Sequence, residues 1–350
     1  MGAIATSTKE ISVANPSSTK IPSLDGLRAI SICLVLVAHL QGTSGFPIRT
    51  LPFMTGYFGV RVFFVISGFL ITTLLLTEQD QHGRISLRNF YIRRVLRIFP
   101  AFYAFLAIVG VLVATEWAQV EKNDLLHALT YTTNYHYPVG WIVRHTWSLA
   151  VEEQFYLLWP AVLAFAGVRR GFFVALATIA IVPILRILTL QWVHIPGEYF
   201  GFQFHLTADA LATGCLLAIS RKWLGSQHRY LAFLRGWLFP LVPVLAVLPM
   251  FLTDRPRLLG LFGVPLMNVA IAVTIDRVTR LPVRFLNSAP LRFIGVLSYS
   301  LYIWQQVFLN HDSTSWVCAF PQNVVLALGA ACASYYVIEK PFLKLKHRFS

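Results

Sequence analysis

The residues best equipped for chemistry lie in one apolar run. In Leu24-Asp25-Gly-Leu-Arg28-Ala-Ile-Ser-Ile-Cys-Leu-Val-Leu-Val-Ala-His39 a guanidinium and an imidazole stand eleven residues apart. On a helix that separation is about 1100° of rotation, so Arg28 and His39 share one face to within about 20° and lie roughly 16 Å apart. Asp25 falls near the same stripe. An arginine at the mouth of a membrane helix suits a phosphate or a carboxylate, and a deeper histidine can act as a general base near neutral pH. The spacing therefore permits an anionic ligand to enter beside Arg28 and present its reactive end to His39. A plainer arrangement fits the same residues: Arg28 snorkels to lipid headgroups and His39 bonds a neighbouring helix.

Other ionisable groups fall in or beside apolar runs, where each is a functional candidate by default. Arg61 sits in Gly56-Tyr-Phe-Gly-Val-Arg61-Val-Phe-Phe-Val-Ile-Ser67-Gly68 and must find a carboxylate or water in the bundle, to join helices or to touch substrate. Arg93, Arg94 and Arg97 precede Pro100. Arg94 and Arg97, spaced i, i+3, are expected at a helix start, where guanidinium forks and free amides bind phosphate together; a positive anchor against anionic lipid reads equally from them. His145, Ser148, Glu152 and Tyr156 follow a 3, 4, 4 spacing and form one polar face, while Glu153 points about 100° away. Glu152 is the better candidate to orient a base or bind acceptor hydroxyls, and Glu153 to pair with an intramembrane arginine. His205 and Asp209, spaced i, i+4 with Glu198 nearby, read as an acceptor site or as a satisfied polar pair. The aromatic stretch 131–141 reads as an interfacial belt, or as a surface for stacking on sugar rings.

The elements that must position these groups are membrane helices. The 350 residues are 56% apolar and 13% charged, with a mean hydropathy of +0.63, and a water-soluble surface needs about twice that charge. Apolar runs fall at roughly 24–41, 56–77, 98–114, 147–167, 172–190, 206–219, 230–251, 258–275, 293–310 and 321–338. The expected fold is all-α, a polytopic integral membrane bundle of about ten transmembrane helices. The 206–219 run is short, and 230–251 carries three prolines. With the N-terminus inside, 20 lysines and arginines fall on inner segments against 5 on outer ones, so both termini are expected in the cytoplasm of a multi-pass inner-membrane protein. The polar tail 1–23 lacks the apolar core of a signal peptide. The expected organisation is that tail, a membrane domain over 24–338 and a basic tail over 339–350. The net charge of +14 alternates with spans rather than forming one patch, which argues against nucleic acid as a partner. Cys33, Cys215, Cys318 and Cys332 have no metal-site spacing, so no metal is expected.

The chain has no Walker A sequence, GxGxxG, HExxH or GxSxG. With these residues in view it resembles the acyltransferase 3 family of membrane O-acyltransferases, which modify bacterial surface polysaccharides, lipooligosaccharides, nodulation factors and some macrolides. The matching pieces are Leu24–Arg28 through His39, Gly59–Leu70, Arg93–Pro100, Thr146–Pro160, Ser298–Trp304 and Ile338–Phe342. The resemblance implies acetyl-CoA or another acyl-CoA as co-substrate and transfer to a hydroxyl of a glycan, lipid-linked saccharide or glycosylated small molecule. It implies that His39 is the catalytic histidine, Arg28 its partner, and Arg94 with Arg97 the donor-binding pair. Gln305 stands where many members have histidine, and Arg61 where many have aspartate.

The mechanism expected from both lines places CoA phosphates on Arg93, Arg94 and Arg97, with Arg28 guiding the thioester and His39, oriented by Glu152 or Asp25, deprotonating the acceptor. Some members carry an extra helix and an esterase-like domain; a chain ending in a basic tail at Ser350 leads to the expectation of a stand-alone acyltransferase. The alternative is a transporter or flippase for an anionic glycolipid or glycan, its arginines lining a path.

Overall fold

Runs of apolar residues in a bilayer leave the backbone no water to bond, so each segment closes its hydrogen bonds within itself. The computed structural model describes residues 21, 23–48, 50–52 and 54–346, and among them it forms helices and no strand. The expected tail 1–23, apart from 21 and 23, lies outside the described residues, as do 347–350 of the expected tail 339–350.

The long helices are α1 (Leu24–Leu40), α2 (Thr55–His82), α3 (Leu87–Ala114), and, after the short α4 (Asp124–Leu129) and α5 (Trp141–Arg144), α6 (Thr146–Trp192) and α7 (Phe204–Ser226). The short α8 (His228–Arg235), α9 (Leu241–Val247) and α10 (Pro256–Leu258) lead to α11 (Val264–Arg280), α12 (Ala289–Phe308), α13 (Gln322–Ser334) and α14 (Lys340–Lys346). Six helical segments are long and apolar enough to cross a membrane: Thr55–His82, Leu87–Ala114, Trp141–Trp192, Gly197–Ser226, Pro256–Arg280 and Gln322–Leu345. The surface is apolar where a soluble protein is polar, with Phe165 82%, Trp192 78% and Trp237 85% exposed, while Arg61, Arg186 and Asp209 are buried. The molecule is a multi-pass membrane protein.

Three elements differ from the sequence expectation. The 230–251 run is not one helix but α8, α9 and a 3-10 turn at Leu248–Phe251, because Pro240, Pro243 and Pro249 each remove a donor from the ladder. α3 starts at Leu87, capped by the Ser86 side chain accepting from the Asn89 amide, eleven residues before the expected run. α6 covers both expected spans at 147–167 and 172–190, and its backbone breaks at Gly167 (φ 78°, ψ 167°), a conformation that glycine alone takes without strain.

The close approach of α2 and α7 depends on two glycines. α2 packs along α7, and a Cβ at Gly68 would collide with the Leu211 carbonyl, one at Gly214 with the Val65 carbonyl. Gly214→Val is expected to cost about 1–3 kcal/mol through forced separation of the pair, read as a lower unfolding midpoint in detergent. Gly110→Ala on α3, with open space around it, should leave that midpoint unchanged or raise it. A second tie sits near the end of α7, where Arg221 and Arg280 clasp Asp276 at 3.2 and 2.7 Å and the Tyr230 hydroxyl donates to it at 3.0 Å.

Candidate active site

α1 carries the site from one end of the bundle to the other, between α2 and α12. At its Leu24 end, Arg28 lies 3.9 Å from Asp25, and its other charged neighbours are Arg97 and Glu152. Arg94 stacks over the Tyr156 ring at 5.2 Å and the Phe90 ring at 5.5 Å, with Arg97, Glu153 and Glu152 around it. Glu152 lies near the Ser67 hydroxyl, which is 2.6 Å from the Tyr156 hydroxyl, and its charged neighbours include Arg28, Arg94 and Arg97. Three arginines thus share one carboxylate as a charged neighbour, without an ion pair to it among the described residues. Glu339, in the π-helical turn Tyr335–Glu339, accepts from Ser300 and also faces Arg97 and Arg28.

Arg93 does not join this group. It makes an ion pair with Glu78 at 2.7 Å, and Glu78 also accepts from the Ser86 amide at 2.8 Å, so Arg93 fastens the turn between α2 and α3. Arg94 and Arg97 stand in the second and third turns of α3, where the amides are already bonded within the helix. The expected contribution of free helix-start amides is therefore missing, and phosphate recognition here rests on side chains.

At the other end of α1, His39 Nδ1 lies 3.0 Å from Gln305 Oε1 on α12, and its ring meets the edge of Trp141 at a centroid distance of 5.4 Å. The neighbouring Gln306 serves a second histidine. Its Oε1 accepts from the His145 backbone amide at 3.1 Å and lies 2.5 Å from His145 Nδ1. The backbone N–H can meet only an acceptor, so the amide orientation is fixed and His145 Nδ1 carries the proton. His145 Nε2 is left as an acceptor, buried and without a hydrogen-bond partner among the described residues. Below it the Ser148 and Tyr302 hydroxyls lie 2.5 Å apart, both within reach of the His145 carbonyl. The polar face expected on α6 thus runs from His145 through Ser148 and Glu152 to Tyr156 against α12 and α2, joining the imidazoles at one end to the arginines at the other. Glu153 lies off this file among Arg94, Tyr103 and Tyr131.

The other candidates serve elsewhere. Arg61, fully buried, finds its carboxylate in Asp209 at 2.9 Å, and Arg186 approaches the same oxygen at 2.5 Å. Asn268 donates to the second oxygen at 2.9 Å, and Arg61 also donates to Thr207. Asp209 therefore locks α2, α6, α7 and α11 together, and it does not pair with His205. His205 is exposed, turned toward the Tyr135 hydroxyl at 3.2 Å, so the expected His205–Asp209 pair does not form. Glu198 pairs with Arg144 at 3.4 Å.

Trp141 is held in place by the loop before it. Asp124, fully buried, accepts from the Glu121 and Gly140 amides at 2.7 and 2.9 Å and sits 3.1 Å from His136 Nε2. His127 stacks on His136 at 4.2 Å. Burial and the neighbouring His136 hold the His127 imidazole below its ordinary range, against the pull of Asp124.

Sequence reasoning did not assign Gln306 or Tyr302 to the site, and it reached Trp141 only as the end of the aromatic stretch 131–141. The signal for Gln306 and Tyr302 is on α12, where Ser298, Tyr302, Gln305 and Gln306 recur with helical spacing inside an apolar run.

Comparison with known proteins follows this geometry. The Acyltransferase domain family, acyltransferase 3, matches residues 21–338. The O-acetyltransferase OatA of Staphylococcus aureus is 30% identical over 364 residues, 93% of this chain and 57% of that protein. The peptidoglycan O-acetyltransferase OatA of Listeria monocytogenes is 26% identical over 356 residues, 92% of this chain and 54% of its own length. The chain thus spans a little over half the length of these relatives. No solved structure matches it. Because the match runs through every helix that holds the file from Arg94 to His39, the chain belongs to the acyltransferase 3 family.

Proposed function

We propose that this chain is a membrane O-acyltransferase that moves an acyl group, acetyl by the names of its relatives, from acyl-CoA to a hydroxyl of a glycan. The observation that carries this reading is the half-buried polar file from Arg28, Arg94 and Arg97, past Glu152, to His39. An anionic donor binds at the Leu24 end, where guanidiniums match phosphate geometry, and its thioester arm extends along α1. The excess of positive charge on alternate loops puts that end, and both chain termini, on the cytoplasmic side of an inner membrane crossed about ten times. The peptidoglycan acceptor named for the Listeria relative supports a cell-envelope glycan as substrate.

In this reading His39 donates Nδ1–H to Gln305 and keeps Nε2 as the base. The acceptor hydroxyl gives its proton to Nε2 as its oxygen attacks the thioester carbonyl carbon. Collapse of the tetrahedral adduct forms the ester, breaks the carbon–sulfur bond and releases CoA thiolate, which takes the proton back from the imidazolium. Glu152 stands among the arginines, so its role is to hold them in the donor site rather than to orient His39, which Gln305 does.

Labelled acetyl-CoA supplied to the purified chain in lipid nanodiscs, with a panel of envelope glycans, tests the reading. Label on a glycan supports it; a chain that moves glycan across the bilayer without consuming thioester sinks it in favour of the transporter. Arg94→Ala should raise KM for the donor by roughly 10- to 100-fold, the value of a charge-assisted contact of about 1.5–3 kcal/mol, with a smaller change in kcat. Arg93→Ala should leave KM nearly unchanged, since its partner is Glu78.

A further inference from the structure

The end of the bundle that carries Leu40 holds a cavity of about 550 Å³. That falls within the roughly 300–1,000 Å³ of small-molecule sites. Trp141 lines it and also meets His39 edge-on at 5.4 Å, so one indole borders both the cavity and the candidate base. Trp117 and Tyr199 add aromatic wall. Gln306, only 2% exposed, lines the cavity as well. Its Oε1 is taken by His145, and its amide nitrogen makes no hydrogen bond among the described residues, leaving a donor on a side chain that lines the cavity.

The charge of this cavity opposes that of the chain. Glu116, Glu121 and Asp312 line it against a single Arg144. Arg144 is already engaged by Glu198 and stacked on Tyr199, and His311 sits 3.4 Å from Asp312. The other end of the file holds Arg28, Arg94 and Arg97. A phosphate-bearing donor is therefore drawn to one end and repelled from the other, while carboxylates and an amide donor suit hydroxyls or an ammonium, and indole faces suit the apolar side of a sugar ring.

We infer that this cavity seats the acceptor and selects a saccharide unit that carries no negative charge, neutral or amino sugar. The inference rests on the acyl-transfer reading for the identity of the acceptor and adds to it a location and a charge rule. Trp141 separates that seat from His39 and sets where the reacting hydroxyl meets the base.

The test is calorimetric titration of the full chain in nanodiscs with three probes of equal length: chitotriose, its de-N-acetylated form and trigalacturonate. The neutral and cationic probes are expected to bind at least tenfold more tightly than the anionic one. Glu121→Gln with Asp312→Asn should bring the three affinities within about threefold of one another, and Trp117→Ala should weaken the neutral probe tenfold. Acetyl-CoA titration of each variant reports the opposite end of the bundle and verifies that it still folds. Equal binding of all three probes by the native chain, or binding of none, overturns the inference. Transfer of label to a glycan with an unchanged acceptor KM in the double variant overturns it too while leaving the transferase standing. Probe binding with the expected charge rule, but no acyl transfer from any donor, supports the cavity and sinks the reaction.

Discussion

His39→Ala lowers acyl transfer by about 100- to 10,000-fold, the range for loss of a general base, while the affinity for acyl-CoA measured at equilibrium stays near that of the native chain. The separation follows from the geometry: the arginines that attract the donor stand near the opposite end of α1 from the imidazole. Alanine also strips Gln305, fully buried, of its hydrogen-bond partner, which costs about 1–3 kcal/mol of stability. His39→Asn controls for that loss, because an amide can bond Gln305 yet cannot take a proton at neutral pH. Equal collapse of both variants with donor binding intact assigns the effect to the missing base. An Asn variant that retains native turnover would remove His39 from the mechanism.

Asp209→Asn should be the most damaging change for folding. The carboxylate holds two buried guanidiniums, Arg61 at 2.9 Å and Arg186 at 2.5 Å, and no other acidic group makes an ion pair with either among the described residues. Breaking a buried ion pair by removing one partner costs about 3–5 kcal/mol, because the remaining charge is left without compensation. The expected result is a chain that expresses poorly and unfolds well below the native midpoint in detergent. The combined change Arg61→Met, Asp209→Leu and Arg186→Met, which removes every charge together, should recover most of that midpoint. Recovery with unaltered acyl transfer marks the triad as scaffold. A stable Asp209→Asn chain would show instead that the arginines find water or another partner.

The sequence carries the local part of this account and little of the long-range part. Arg28 and His39 on one stripe, and Ser148, Glu152 and Tyr156 on another, are consequences of helical spacing within single segments. Which stripe faces which is settled by packing: Gln305 and Gln306 are neighbours on α12, yet each holds a histidine from a different helix. Arg93 and Arg94 are also adjacent, and only the partner of Arg93, fifteen positions earlier, separates their roles. The start of α3 is less legible than its centre, since the polar residues 87–97 lower the hydropathy of a segment whose capping residue, Ser86, already begins it. The i, i+4 spacing of His205 and Asp209 suggests an acceptor site or a polar pair because it is local, whereas Arg61 and Arg186 reach Asp209 from 148 and 23 residues away.

The shared carboxylate also constrains how relatives of this chain can diverge. With Asp209 satisfied by two cations, reversing the charge at position 61 alone would set two carboxylates against each other and leave Arg186 as their one guanidinium. A lineage with aspartate at position 61 must therefore have altered position 209 or 186 in step. Across homologous sequences these three positions are expected to covary as a unit, with no intermediate that carries one reversed charge on its own.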